Sequence, residues 1–252
     1  MKPLAQLTEP MVAQAIAAGV NTVILPLGAT EQHGSHLPMG TDTWRAVALA
    51  ERLAERLPVL VAPAIPIGCS DEHSGFAGLL SLDAETLAAV IVDCARRMVA
   101  WGVRHLIVLS AHGGNGHALT LAAARLQQEV PALAVWMPDA MLVCGATVLA
   151  IAEQDGIPLS ALGLHAGEGE TSELLYLSPE QVRIDLAAPG YTGDMPTALV
   201  QLMAAGTQAL TLTGVVGDPR QADAGRGERY LVAQTACYET ALRQWLTQTN
   251  PV

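Results

Sequence analysis

Short apolar runs alternate along this chain with amphipathic helical stretches, and few folds accept that alternation. Runs that lie side by side must pair as a sheet while the helices between them cover its faces. The pattern predicts an α/β protein with a mostly parallel central sheet. Strands are expected over residues 21–28, 59–67, 105–110 and 133–137, the second at an edge because it carries Pro63 and Pro66. His105-Leu106-Ile107-Val108-Leu109-Ser110 is the strongest buried strand. Helical spacing marks residues 43–57, 118–129, 146–154, 196–211 and 224–247, and a further helix capped by Asp83 runs through about Trp101, where Gly102 stops it. Thr43 and Asp83 stand where N-caps belong. Residues 156–170 read as a glycine-rich loop and 171–177 as a short element of undetermined type. No repeat, low-complexity tract or linker interrupts the 252 residues, so one domain over 1–252 is expected.

Composition excludes several classes of function. Thirteen Lys and Arg face 24 Asp and Glu, a net charge of −11, and no basic cluster exists to neutralise phosphates. Nucleic acid and anionic membrane are therefore not expected partners. No apolar run reaches the roughly 18–20 residues of a membrane span, and the N-terminus lacks a signal-peptide core. A soluble, cytoplasmic protein is expected. Cys69, Cys94, Cys144 and Cys237 are far apart, without a CxxC pair, and read as free thiols.

Chemistry concentrates in glycine-rich loops after strands. Residues 25–42, Leu-Pro-Leu-Gly-Ala-Thr-Glu-Gln-His-Gly-Ser-His-Leu-Pro-Met-Gly-Thr-Asp, place Glu31, His33, His36 and Asp42 within twelve positions. Carboxylate oxygens and imidazole nitrogens are ligands for zinc, manganese and iron(II). A second loop carries His112-Gly113-Gly114-Asn115, and a third carries His165-Ala166-Gly167-Glu168-Gly169-Glu170. In a parallel sheet the loops at the carboxyl ends of strands meet on one rim. Glu31, His33 and Asp42 are thereby brought toward His112, and toward Glu168 or Glu170. Ligands scattered in this way suit two ions sharing a carboxylate and a water. His36, His105 and His117 read as hydrogen-bonded structural histidines. The loop from Gly68 to Phe76, with Ser70 and His73, is either an ordinary surface loop or one that faces substrate. No GxSxG elbow is present, and the loop at His112 lacks the Lys of a P-loop.

Glu31-Gln32-His33-Gly34 with His36-Leu37-Pro38 and Thr41-Asp42, the His112 loop, His165-Ala166-Gly167 with Glu170-Thr171-Ser172, and Gly217-Asp218-Pro219 together resemble the creatininase (creatinine amidohydrolase) family. The resemblance implies a three-layer α/β/α fold and a homo-oligomer, a hexamer among the candidates. It implies two divalent ions per chain (zinc, manganese or iron) and hydrolysis of amide bonds in small-molecule or short-peptide substrates. Carried over by motif, Glu31 and His33 would each hold one ion and Asp42 would bridge the two. His112 and Glu170 would complete the ligand set, His165 would act as an acid or touch substrate, and Glu168 would assist proton transfer. Ser70, His73, Gly113 and Gly114 would line the substrate. The expected reaction is attack of a metal-bridging hydroxide on an amide, lactam, formamide or modified-peptide carbonyl. The oxyanion would be stabilised in part by backbone N–H groups at Gly113 and Gly114.

Creatinine itself is a poor candidate. The enzyme acting on it resembles His-Tyr-Glu where this chain has His112-Gly113-Gly114, and uses tryptophans that residues 159–164 do not supply. Alternatives on the same scaffold are a metal-dependent hydrolase of a cyclic ketone and a non-hydrolytic isomerase.

Overall fold

The computed structural model describes residues 3–249. In chain order the main elements are α1 (Glu9–Ala17), β1 (Thr22–Leu27), α2 (Thr41–Arg56), β2 (Leu60–Val61) and α3 (Ala84–Ala100). They continue with β3 (His105–Ser110), α4 (Gly116–Glu129), β4 (Ala134–Trp136), α5 (Ala146–Gln154) and α6 (Leu159–Leu162). The chain then forms α7 (Glu168–Leu177), α8 (Met195–Ala205) and α9 (Ala224–Thr249). All strand pairs are parallel, in the order β2-β1-β3-β4, with Val23 beside both Leu60 and Leu106.

Alternation along the strands sets the layers, because successive side chains leave opposite faces of a sheet. Val23, Leu25, Leu106 and Val108 point to one face and are buried with Ile91 of α3 and Ala122 of α4. Ile24, Ile107 and Leu109 point to the other, against Leu49 and Leu53 of α2 and Leu242 of α9. Each such buried aliphatic side chain contributes roughly 1.5–3 kcal/mol relative to exposure. The result is the expected α/β fold, with helices on both faces of a parallel sheet.

The connections position the site. From β1 the chain crosses through α2 on one face to reach β2, whereas from β3 it crosses through α4 on the opposite face to reach β4. Neighbouring β1 and β3 thus send their outgoing loops in opposite directions, which opens a crevice beyond their carboxyl ends. Both chemistry-bearing loops leave from this point. Gly28 lets the first leave tightly: a Cβ there would stand 2.5 Å from the Thr43 Cα, inside the first turn of α2.

Several boundaries differ from the sequence reading. The edge strand shrinks to two residues, since Pro63 and Pro66 cannot donate to a ladder. Helix α2 begins at Thr41 rather than Thr43, so Asp42 lies in its first turn, where the helix dipole favours a carboxylate. Residues 156–170 are not one loop: they contain α6, and α7 already starts at Glu168. The four cysteines are free, as expected.

Candidate metal centre

Proton bookkeeping around the rim shows what each side chain offers. His33 sits 3.2 Å from the Glu31 carbonyl through Nδ1, an acceptor that requires the hydrogen to be there. Its Nε2 lone pair therefore faces Asp42 Oδ1 at 3.3 Å and Glu170 Oε2 at 3.7 Å. His112 donates Nε2–H to the Cys69 carbonyl at 2.9 Å, leaving Nδ1 to face Asp42 Oδ2 at 3.5 Å. Asp42 thus presents one oxygen to each histidine. Glu31 lies beside them, Oε2 being 3.3 Å from His112 Nε2.

Among the described residues, three trios bring their ligand atoms within 4.8 Å of one another: Glu31, Asp42 and His112; His33, His165 and Glu170; and Glu31, His73 and His165. Both oxygens of Glu31, Nε2 of His33 and Oδ2 of Asp42 are buried and make no hydrogen bond. Unpaired polar atoms of this kind are costly. Four of them converging as lone pairs is the arrangement a cation relieves, so the residues present fit a metal centre.

The electrostatics agree. Burial lifts the Glu31 carboxyl to about 8 against the opposing charge of His112. Burial pushes the other way on His33 and His112, yet Asp42 and Glu31 beside them raise these imidazoles to about 9 and about 10. Protons here stand in for positive charge that the cluster otherwise lacks. Asp42 is driven below the usual carboxylate range by His33, although burial opposes this.

Neighbouring elements hold the ligands. Arg45, one turn after Asp42 on α2, donates to Glu170 Oε1 at 2.6 Å and to Glu173 Oε2 at 2.6 Å. Glu170 Oε2 accepts from the Ala166 N–H at 2.7 Å and so stays turned toward His33. His36 donates Nε2–H to Thr171 Oγ1, 2.9 Å away, whose own hydroxyl donates to the Gly167 carbonyl. This pins the start of α7 against the first loop. His105 is a buried strand residue edge-on to Trp245, and His117 is exposed on α4. Neither approaches the cluster.

Two expected roles change. Glu168 is fully buried, but it accepts from Ser172 Oγ, Arg226 Nε and Tyr230 OH on the side facing α9. The reason is helical geometry: residues two apart on a helix point to nearly opposite sides, so Glu168 and Glu170 cannot share a site. His165, expected as a proton donor, gives its Nε2–H to the Gln32 carbonyl at 2.6 Å. Burial and the neighbouring His33 hold it neutral, well below the usual imidazole range. It offers a lone pair rather than a proton.

The loop from Gly68 to Phe76 is not an ordinary surface loop. Ser70 and His73 are buried, with Ser70 Oγ 3.3 Å from His112 Nε2 and His73 Nε2 3.2 Å from Glu31 Oε1. Gly113 is exposed with open space around it. Gly114 is tight: a Cβ there would lie 2.3 Å from Glu72 Oε1 and 2.4 Å from His112 Nε2. The sequence reading missed Gln32, Arg45 and Glu72. Gln32 lay inside the recognised motif, but the other two carried no spacing signal.

Unpaired carboxylates and imidazoles at the crevice of a parallel α/β sheet define an α/β protein with a candidate metal centre. The comparisons agree: the family profile described as creatinine amidohydrolase matches residues 5–242, and this chain belongs to the creatininase family of hydrolases, which act on carbon–nitrogen bonds. A mycofactocin precursor peptide peptidase of Mycobacterium tuberculosis is 37% identical over 239 residues, 91% of this chain and 87% of that protein. A creatinine amidohydrolase of Pseudomonas putida is 32% identical over 190 residues, 68% and 69% of the two chains. Among solved structures, a manganese form of creatininase superposes with a TM-score of 0.82 at 25% identity, over 99% of this chain and all of that one.

Proposed function

We propose that this chain is a dinuclear metal-dependent amidohydrolase that opens a C–N bond in a short, modified peptide. The observation that carries the reading is the set of buried, unpaired lone pairs on Glu31, His33 and Asp42, with Asp42 shared between the imidazoles of His33 and His112. Glu31, Asp42 and His112 form one ligand set. His33, His165 and Glu170, with Asp42 Oδ1 3.3 Å from His33 Nε2, would form the other. When bound, zinc, manganese or iron(II) in such a pair lowers the pKa of a shared water and polarises the carbonyl under attack.

The chain's own residues do the rest. Hydrogen bonds to the Glu31, Cys69 and Gln32 carbonyls turn a lone pair of each of His33, His112 and His165 inward. Arg45 offsets the negative charge of Glu170 without taking the oxygen that faces His33. Glu72, half-buried beside His112 and held ionised by it, is the carboxylate free to accept a proton and return it to the leaving nitrogen. It replaces Glu168 in that role.

Support for a peptide substrate comes from likeness along the chain. The peptidase relative aligns over nine-tenths of this sequence, the creatinine amidohydrolase over two thirds. The open space at Gly113 also suits a substrate larger than creatinine.

The test is elemental analysis of purified protein, followed by mass spectrometry of modified and unmodified short peptides incubated with it under zinc, manganese and iron(II). Close to two ions per chain and metal-dependent release of a fragment are expected. Turnover that persists after chelation removes the metal overturns the reading.

A further inference from the structure

Gln32 lies between the proposed ligands Glu31 and His33, and its side chain reaches two other histidines of the cluster, His73 and His165. Its amide orientation is set by backbone groups that have no alternative role. Oε1 accepts from the Gly34 N–H at 2.8 Å, and Nε2 reaches the Gly214 carbonyl at 3.2 Å. Gly214 adopts φ +80°, and a Cβ there would lie 1.9 Å from Gln32 Oε1, so the contact requires glycine in both respects.

The same Nε2 has two histidine nitrogens in range: His73 Nδ1 at 2.9 Å and His165 Nε2 at 3.1 Å. Only one can accept. His165 Nε2 stands 2.6 Å from the Gln32 carbonyl, an obligate acceptor, and therefore carries a hydrogen. The two amide hydrogens then go to Gly214 O and His73 Nδ1, and every donor finds an acceptor. Thr207 Oγ1, 3.3 Å from the same His73 nitrogen, can serve either way and does not disturb this count.

We propose that Gln32 is a positioning residue that fixes His73 as its Nε2–H tautomer, an N–H donor facing Glu31 Oε1, and so keeps His73 out of the ligand set. The inference rests on the dinuclear reading above and sharpens it. Distances alone permit three trios, including one of Glu31, His73 and His165. With a hydrogen on His73 Nε2 that trio has no ligand atom from His73. His73 instead turns that N–H toward Glu31 Oε1, 3.2 Å away, while His112 faces Oε2. Gln32, through its carbonyl, leaves the His165 Nδ1 lone pair facing Glu31 Oε1, 3.6 Å away.

Long-range 1H–15N NMR of histidine-labelled, zinc-loaded protein reads the tautomers directly, with His73→Asn assigning the signals. In the wild type, His73 should show a protonated Nε2 and an unprotonated, metal-free Nδ1. In Gln32→Glu the carboxylate can only accept, so the two signals should exchange. A metal-bound nitrogen on wild-type His73, or a tautomer unchanged in Gln32→Glu, overturns the proposal. Should that variant not fold, Gln32→Met is expected to leave both tautomers populated, and a single wild-type tautomer in it is the contrary result. If the protein takes up no zinc, the dinuclear reading fails, while the tautomer is still read in the same spectrum.

Discussion

A buried carboxylate with no hydrogen bond costs on the order of 1–3 kcal/mol or more, and Glu31 and Asp42 leave three such oxygens within one crevice. A stable chain keeps an arrangement like that where a ligand repays it. The residues supporting these groups matter as much as the ligands themselves. Glu72 is the sharpest case, with its carboxylate 3.3 Å from His112 Nε2 and packed where a side chain at position 114 would begin. Glu72→Gln should lower kcat by about 10²–10⁴-fold if the group moves a proton. Metal content, read by elemental analysis on the same preparation, should stay at the wild-type value.

Helix α7 works as a two-sided element. One side carries Glu170 toward His33 and Arg45; the other buries Glu168 against Arg226 and Tyr230 of α9. The two glutamates, two positions apart, should respond to the same substitution in opposite ways. Glu170→Gln should lose bound metal with little change in the melting temperature of chelated protein. Glu168→Gln should keep the metal yet lose about 1–3 kcal/mol of stability, because it removes one of the two carboxylates that pair with buried Arg226, Asp155 being the other, and the charged acceptor of the Tyr230 hydroxyl. Metal analysis paired with urea denaturation separates the two. A loss of metal in Glu168→Gln at full stability would return that residue to the site.

Two consequences belong to the whole molecule. The first is the pH dependence of the chelated protein. His33 and His112 titrate near 9 and 10 in the folded chain against an ordinary 6.5, so their stabilisation is complete below about 6.5 and is lost as pH rises through 9 to 10. Glu31 titrates near 8 against 4.5, so ionisation of the unfolded chain increasingly favours unfolding between those values. Both trends have one sign. Urea midpoints of chelated protein should fall steadily from about pH 6 to about pH 10, and zinc should flatten the curve by displacing the protons. The second is assembly. Leu199, Val200 and Met203 lie within one turn of α8 at three- and four-residue spacing and are 50%, 70% and 58% exposed. Sedimentation should give a multiple of the 26.3 kDa chain, and Val200→Glu should shift it toward the monomer.

Much of the fold was legible because strands β1 and β3 are apolar throughout and end in glycine-rich loops. Glu31, His33, Asp42 and His112 stand next to those ends, so the sequence by itself placed them on one rim. Local order was enough for that. What tertiary structure alone decided are the contacts that close across the chain. Arg45 reaches Glu170, His73 meets Gln32, and Glu168 pairs with Arg226, each pair more than 40 positions apart in sequence. Periodicity reports which face of an element is apolar, not which distant group it meets. The start of α7 at Glu168 shows the limit: once the helix begins there, Glu168 turns toward Arg226 and Tyr230 of α9, away from the rim where a loop over 156–170 would have allowed it.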